Sequence, residues 1–205
     1  METVERLRHI ILRQSFQYRE EPTFKLSSGA SSHFYFDCKK TTLDPVGSSL
    51  IGEILYERTK NFPISGAGGL TLGADNLASV LMYTAFRHGK QIPQFIVRKD
   101  LKKHGAVKWV EGTLKQGDSV LVLDDVVTTG DSVITAIERV QEDGLKVYGV
   151  IVLIDREEFG GIDKIQQVIP GKPVDAIITR SEIMDLYRSN PADPSQSDIP
   201  KLRYA

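Results

Sequence analysis

The feature that most constrains the fold is a series of nearly continuous apolar runs that alternate with segments of helical periodicity. The strongest runs are SVLVLDD, which begins at Ser119, and VYGVIVLI, which begins at Val147. Between them, Val133, Ile137 and Val140 recur at helical spacing. Strands read as continuous apolar runs when helices cover both faces of a parallel sheet. We therefore predict an α/β fold with a mostly parallel central sheet flanked by helices.

The remaining elements follow from local signals. Residues 3–16 have the spacing of an amphipathic helix. Asp44 followed by Pro45 is typical of a helix N-cap and first turn. We predict a glycine-rich turn for GAGGLTLG (66–73), followed by a helix through Ala85. Further strands are predicted at Phe34–Phe36, Phe95–Val97 and Val174–Ile178, and a last helix at 181–188.

Composition indicates a single domain in the cytoplasm. The 205 residues are enough for one hydrophobic core, and we predict one domain over 1–188 with a flexible, polar and proline-rich tail over 189–205. The net charge of -1 argues against a nucleic-acid coat or a membrane-surface binder. The single cysteine, Cys38, excludes an internal disulfide and suits a reducing compartment. We see no signal peptide, and no apolar run approaches the roughly 20 residues that span a bilayer.

Two acids, Asp124 and Asp125, directly follow the apolar run at 119–123. Ligands bind at the carboxyl ends of strands in open α/β sheets. Neighbouring strand residues point to opposite faces, so the two carboxylates should not duplicate each other. A carboxylate accepts hydrogen bonds from sugar hydroxyls or binds Mg²⁺, whereas the Thr128–Gly130 segment offers N–H groups to a phosphate at a helix N-terminus. Together they predict a ribose 5-phosphate site; the alternative is a strand end followed by an ordinary helix cap.

A basic segment, RKDLKKHG, runs from Arg98 to Gly105. It follows a short strand and has no apolar periodicity, which favours an exposed, mobile loop. The simpler alternative is a solvated charged loop. A pyrophosphate leaving group needs several positive charges, and a mobile loop can close over it and exclude water. We therefore interpret the segment as a loop that binds pyrophosphate.

Both segments resemble motifs of a known family. SVLVLDDVVTTGDS is similar to the ribose-phosphate motif of the type I phosphoribosyltransferases, and R-K-x-x-K-x-H-G resembles the catalytic loop of the orotate phosphoribosyltransferases. The resemblance implies transfer of phosphoribosyl from phosphoribosyl pyrophosphate (PRPP) to orotate, giving orotidine 5-phosphate and pyrophosphate in pyrimidine synthesis. It implies Mg²⁺ bound mainly through PRPP, with no dedicated protein ligand. It also implies a homodimer whose active sites are shared, with no nucleic-acid or membrane partner.

The resemblance also implies roles for individual residues. Lys102 is the main catalytic lysine, helped by Arg98 and His104. Asp124 and Asp125 hold the ribose hydroxyls. The residues implied to bind PRPP are Arg98, Lys99, Lys102, His104, Asp124, Asp125, Val126, Val127, Thr128, Thr129, Gly130, Asp131 and Ser132.

Arg156 ends the second strong apolar run and places a guanidinium at the ligand edge of the sheet, where it could pair with a carboxylate. The alternative is an ion pair with Glu157 or Glu158. The family resemblance implies that Arg156 contacts the orotate carboxylate, with Thr128 nearby.

Two further segments extend the resemblance over most of residues 20–187. FKLSSGASSHFYFDCKK (24–40) looks like the family segment that lies over orotate, which implies a small N-terminal hood at about 1–60. GAGGLTLGAD (66–75) looks like the glycine-rich loop near pyrophosphate. Ser27 and Leu72 stand where many members carry lysine.

Two other functions compete with this one. One is a phosphoribosyltransferase for another base, but a purine or urate base carries no carboxylate that Arg156 could bind. A PRPP-sensing regulator of the same fold could dispense with the loop lysines, and this chain has no added DNA-binding segment or broad basic face.

Overall fold

A computed structural model describes residues 2–25, 29, 31–101 and 108–189. The predicted tail beyond Ser189 lies outside these ranges. The helices are α1 (Glu2–Gln14), α2 (Lys39–Thr42), α3 (Pro45–Thr59), α4 (Asp75–Arg87), α5 (Asp131–Glu142), α6 (Gly161–Val168) and α7 (Arg180–Ser189). The strands are β1 (Phe16–Tyr18), β2 (Phe24–Lys25), β3 (Ser31–Ser32), β4 (Phe34–Phe36), β5 (Gly66–Leu70), β6 (Gln94–Val97), β7 (Val110–Glu111), β8 (Ser119–Val127), β9 (Lys146–Asp155) and β10 (Val174–Thr179).

The central sheet has six strands in the order β10-β9-β8-β5-β6-β7. Every neighbouring pair is parallel except β6 and the edge strand β7. Successive residues of β8 enter different cores: Leu121 and Leu123 pack with α1, α3, α4 and α7, whereas Val120 and Val122 pack with α5 and α6. The mostly parallel sheet with helices on both faces is therefore confirmed.

The N-terminal part adds two small antiparallel pairs, β1 with β4 and β2 with β3. Phe16 lies opposite Phe36, and their ring centroids are 5.1 Å apart. Helices α1 and α3 do not stand apart from the core, because Leu7 and Leu55 are buried in the same cluster as Leu77 of α4. The division into a hood and a core stays a prediction.

The predicted helix starts agree well with the structure. Asp44 caps α3 and its carboxylate accepts hydrogen bonds from the N–H groups of Val46 (3.0 Å) and Gly47 (2.9 Å). Helix α1 ends at Gln14, two residues earlier than predicted. The sequence analysis missed α6, whose single buried apolar side chain is Ile165. None of the helices in the described ranges is long and apolar enough to cross a membrane.

The prediction of a turn over 66–73 was wrong for its first five residues, which form the central strand β5. A Cβ atom at Gly68 would lie 2.0 Å from the Phe95 carbonyl oxygen, and one at Gly69 would lie 2.2 Å from the Leu123 carbonyl oxygen. These glycines therefore allow close packing of strands rather than a turn. The turn itself comprises residues 71–74, and it opens α4.

Strand β8 also extends further than predicted. It continues to Val127, which pairs with Asp155 of β9, so Asp124 and Asp125 lie inside the strand rather than after it. The backbone of the two acids is held by the sheet, and their side chains are correspondingly fixed at its ligand edge.

Candidate active site

A cavity of about 290 Å³ opens at the carboxyl ends of β5 and β8. Four parts of the chain line the cavity: the start of α2, the end of β5 with the turn that follows it, Lys99, and the segment that runs from β8 into α5. The lining residues are Lys39, Leu70, Thr71, Leu72, Gly73, Lys99, Asp124, Asp125, Val126, Val127, Thr128, Thr129, Gly130, Asp131, Ser132 and Val133. The structure thus brings the whole predicted 124–132 segment and Lys99 into one cavity.

The two acids converge on one point of the cavity. A Cβ atom at Gly73 would lie 2.3 Å from Asp124 Oδ1 and 2.9 Å from Asp125 Oδ1, so the 71–74 turn rests directly on both carboxylates. Their environments nevertheless differ, because Asp124 Oδ1 accepts a hydrogen bond from the Asp125 N–H at 3.0 Å. Both carboxylates reach the same cavity, and the expectation that they take different roles stays a prediction.

Burial dominates the electrostatics of the acids. Asp124 is 6% exposed and Asp125 is 8% exposed. Burial, followed by the neighbouring charge of Asp125, raises the pKa of Asp124 to about 8. Burial also raises the pKa of Asp125, and the positive charge of Lys39 opposes the shift at both acids. Burial therefore disfavours two negative charges at this point of the cavity, and a cationic or hydrogen-bond-donating ligand would favour them.

This burial predicts that Asp124→Asn stabilises the free protein at high pH. The folded protein keeps the Asp124 proton up to about pH 8, whereas the unfolded chain loses it near its ordinary pKa of about 3.9. The free energy of unfolding should therefore fall between these values as pH rises. At pH 8 the variant should be more stable by about 2–5 kcal/mol, and the difference should shrink towards pH 4.

Urea unfolding between pH 4.5 and 8 without PRPP measures this difference. Asp185→Asn is the matched control, because the Asp185 side chain is 78% exposed and should show no such trend. A pH-independent effect of Asp124→Asn would contradict the burial argument.

The Thr128–Ser132 segment forms an open helix N-terminus. Gly130 has a φ of 86° and precedes α5, and no side chain in the described part of the chain caps this end of the helix. Thr129 Oγ1 donates a hydrogen bond to Asp131 Oδ2 at 2.8 Å, and residues 128–133 line the cavity, so the first turn of α5 adjoins it. Such a helix start favours an anion.

Gly161 packs closely against the backbone of the Thr128–Ser132 segment. The sequence analysis did not single out this glycine. A Cβ atom at Gly161 would lie 2.6 Å from the Thr128 carbonyl oxygen, and one at Gly130 would lie 2.9 Å from the Gly161 carbonyl oxygen. The signal in the sequence was the Gly160-Gly161 pair, which opens the missed helix α6.

The basic loop is only partly described. Lys99 lines the cavity, whereas the Arg98 guanidinium forms an ion pair with Glu111 of β7 at 2.7 Å. Lys102 and His104 lie outside the described residues. The base of the loop is fixed: the Arg98 N–H donates to the Trp109 carbonyl at 2.9 Å, and Arg139 donates to the Arg98 carbonyl at 2.6 Å. The Arg139 guanidinium also stacks over the Trp109 ring, 4.1 Å from its centroid.

Arg156 lies beneath the N-terminal strands and is not among the residues that line the cavity. It is 5% exposed and pairs with Glu158 at 2.7 Å, which is one of the ion pairs that the sequence analysis offered as an alternative. Its Nη2 also donates to Ser32 Oγ (3.0 Å) and to the Phe34 carbonyl (2.9 Å). Its Nε has no hydrogen-bond partner within the described part of the chain. The predicted contact with orotate stays a prediction.

Comparisons with known proteins agree on one family. Residues 67–166 match the Phosphoribosyl transferase domain family. The orotate phosphoribosyltransferase of Aquifex aeolicus is 42% identical over 180 residues, which cover 88% of this chain and 97% of that protein.

Solved structures give the same result. The Mycobacterium tuberculosis orotate phosphoribosyltransferase in complex with Fe(III) dicitrate superposes with a TM-score of 0.75 at 34% identity, covering 88% of this chain and 98% of that one. The structure of the enzyme from the same organism in complex with PRPP has a TM-score of 0.69 at 29% identity, covering 89% and 92%. The chain has the type I phosphoribosyltransferase fold and belongs to the orotate phosphoribosyltransferase family.

Proposed function

We propose that this protein transfers the phosphoribosyl group of PRPP to orotate, giving orotidine 5-phosphate and pyrophosphate. The observation that carries the proposal is the cavity in which two buried carboxylates adjoin an uncapped helix N-terminus. Ribose hydroxyls would donate hydrogen bonds to Asp124 and Asp125. The 5-phosphate would accept hydrogen bonds from the N–H groups and hydroxyls of residues 128–132. The cavity thus matches the two polar ends of a ribose 5-phosphate.

The reaction separates charge at the anomeric carbon of the ribose. Pyrophosphate leaves with the bonding electron pair and positive charge builds on the ring. The ring nitrogen of orotate then forms the new bond and releases its N–H proton to solvent. Lys99, at the cavity, is proposed to stabilise the departing anion together with Arg98, Lys102 and His104. For Arg98 this role requires that its guanidinium leave Glu111. The Arg98–Glu111 contact is a surface ion pair of modest strength.

Mg²⁺ is proposed to enter with PRPP. The described residues contain no group of three or more His, Cys, Asp or Glu arranged to hold a metal ion. The donors in the cavity fit this arrangement, since two buried carboxylates favour a nearby positive charge. When bound, Mg²⁺ would supply positive charge that offsets the charge of the pyrophosphate.

The loss of orotate absorbance tests the proposed reaction. The absorbance should fall only when PRPP, Mg²⁺ and the protein are all present, and pyrophosphate should appear in equal amount. Assays with adenine, hypoxanthine or uracil in place of orotate test the alternative that this protein transfers phosphoribosyl to another base. Binding of PRPP with no turnover of any base would instead indicate a regulator and would overturn the proposal.

Arg156 is proposed to bind the orotate carboxylate, supported by its buried guanidinium, whose Nε has no hydrogen-bond partner among the described residues. Arg156→Leu should raise the KM for orotate about tenfold or more, because a charge-assisted hydrogen bond is lost, and should leave the KM for PRPP nearly unchanged. Glu158→Gln is the matched control, since it removes the ion pair but keeps the guanidinium.

Steady-state kinetics measures both constants, and thermal unfolding checks that the variants fold. An equal rise in both KM values for Arg156→Leu would contradict the orotate contact. It would show instead that Arg156 serves to hold β3 and β4 in place.

We further propose a homodimer with shared active sites. An exposed apolar patch on α4 supports it: Met82 is 40%, Tyr83 65% and Phe86 70% exposed. Contiguous exposed apolar side chains of this size are typical of protein–protein contact surfaces. The cytoplasmic location and the division into one domain (1–188) and a tail (189–205) likewise remain proposals from the sequence.

A further inference from the structure

We propose that Lys39 is a substrate-binding residue whose ammonium group binds the pyrophosphate end of PRPP. The sequence analysis did not single out this lysine, and the proposal rests on the function proposed above. Lys39 is the first residue of α2 and lines the same cavity as the paired acids of β8.

The backbone at the start of α2 is held against β8. Cys38, directly before Lys39, is 2% exposed, and its Sγ lies 3.8 Å from the Asp125 carbonyl oxygen. The buried Cys38 side chain thus fixes the chain beside Asp125, while the Lys39 side chain is exposed at the cavity. From this fixed backbone position the four-carbon stem of Lys39 can bring a compact ammonium charge to a ligand in the cavity.

The packing of α2 places Lys39 on a defined side of the acids. Asn76 of α4 donates a hydrogen bond to Thr42 Oγ1 at 3.5 Å, so α2 lies against the start of α4, just after the 71–74 turn. The phosphate-binding segment 128–132 packs instead against Gly161 of α6. In PRPP the 5-phosphate and the pyrophosphate are attached on opposite sides of the ribose. With the 5-phosphate at 128–132, the pyrophosphate faces the turn and Lys39.

The charges around the cavity support a phosphate contact. Among the described residues that line it, the cations are Lys39 and Lys99. The positive charge of Lys39 opposes the rise that burial causes in the pKa of both Asp124 and Asp125, in keeping with its place on the same cavity. Within the described part of the chain Lys39 forms no ion pair, whereas its neighbour Lys40 lies 3.9 Å from Asp37 Oδ2. The Lys39 ammonium is therefore available to an anionic ligand.

The neighbouring lysine provides a matched test. Calorimetry in the presence of Mg²⁺ would measure the binding of PRPP and of ribose 5-phosphate to the unmodified protein, Lys39→Met, Lys39→Arg and Lys40→Met. We expect Lys39→Met to weaken PRPP about ten- to a hundredfold, as for the loss of one charged hydrogen bond, and to change ribose 5-phosphate binding less than threefold. Lys39→Arg should restore most of the PRPP affinity, and Lys40→Met should bind both ligands normally.

The outcomes separate this proposal from the proposed function. If the unmodified protein binds PRPP and consumes orotate but Lys39→Met behaves like Lys40→Met, the role of Lys39 is wrong and the function stands. Equal losses for PRPP and ribose 5-phosphate would also overturn it, because Lys39 would not then act on pyrophosphate. If the unmodified protein does not bind PRPP, the proposed function itself fails. Thermal unfolding of each variant shows whether a loss reflects misfolding.

Discussion

Replacing Lys102 by alanine is expected to lower turnover by a factor on the order of 10²–10³. The reason is that a positive charge aimed at the departing pyrophosphate matters most in the transition state, where negative charge builds on that group. PRPP binding should change much less, because Asp124, Asp125 and the 128–132 segment, which are proposed to hold the ribose phosphate, are unchanged. Steady-state and equilibrium-binding measurements on the same variant provide the comparison.

Lys103→Ala is the matched control for this prediction. Lys103 adjoins Lys102 in the sequence, and the family resemblance gives it no role, so its replacement should leave turnover close to normal. Equal losses of PRPP affinity and turnover in Lys102→Ala would show that Lys102 binds the ground state and not the transition state.

Mixing two inactive homodimers is expected to restore about one quarter of the normal activity if the active sites are shared. One dimer carries Lys102→Ala and the other Asp125→Asn. With random exchange about half of the dimers are hybrids, and each hybrid has one site with both residues intact. Activity after mixing, with exchange confirmed by native mass spectrometry of a tagged subunit, measures the recovery.

A loop that acts only within its own chain predicts a different result. Every site in the mixture would then lack either Lys102 or Asp125, and activity would not return. Recovery well below one quarter despite complete exchange would therefore contradict the shared site, whatever role the apolar patch on α4 has in dimer formation.

The sequence by itself determined strands β8 and β9, the helix between them and the candidate ribose-phosphate segment. Apolar runs buried on both faces are long local signals, so β8, β9 and the helix between them were predicted close to their observed positions. Asp124, Asp125 and the 128–132 segment are contiguous in the chain. Their meeting in one cavity follows from a single strand-to-helix connection, and short-range patterns are sufficient to find it.

Only the tertiary structure decided how distant segments meet. Gly66–Leu70 reads locally as a turn, but it is a central strand, and its Gly68 and Gly69 fit there because the neighbouring backbones of Phe95 and Leu123 leave no room for a Cβ atom. Gly73 lies against both acids, and Lys39 enters their cavity, through contacts between elements far apart in the sequence. Arg156 likewise pairs with Glu158 beneath β3 and β4 rather than lining the cavity. A pattern along the chain records burial and local propensity, whereas these positions depend on packing between separate elements, which no local pattern contains.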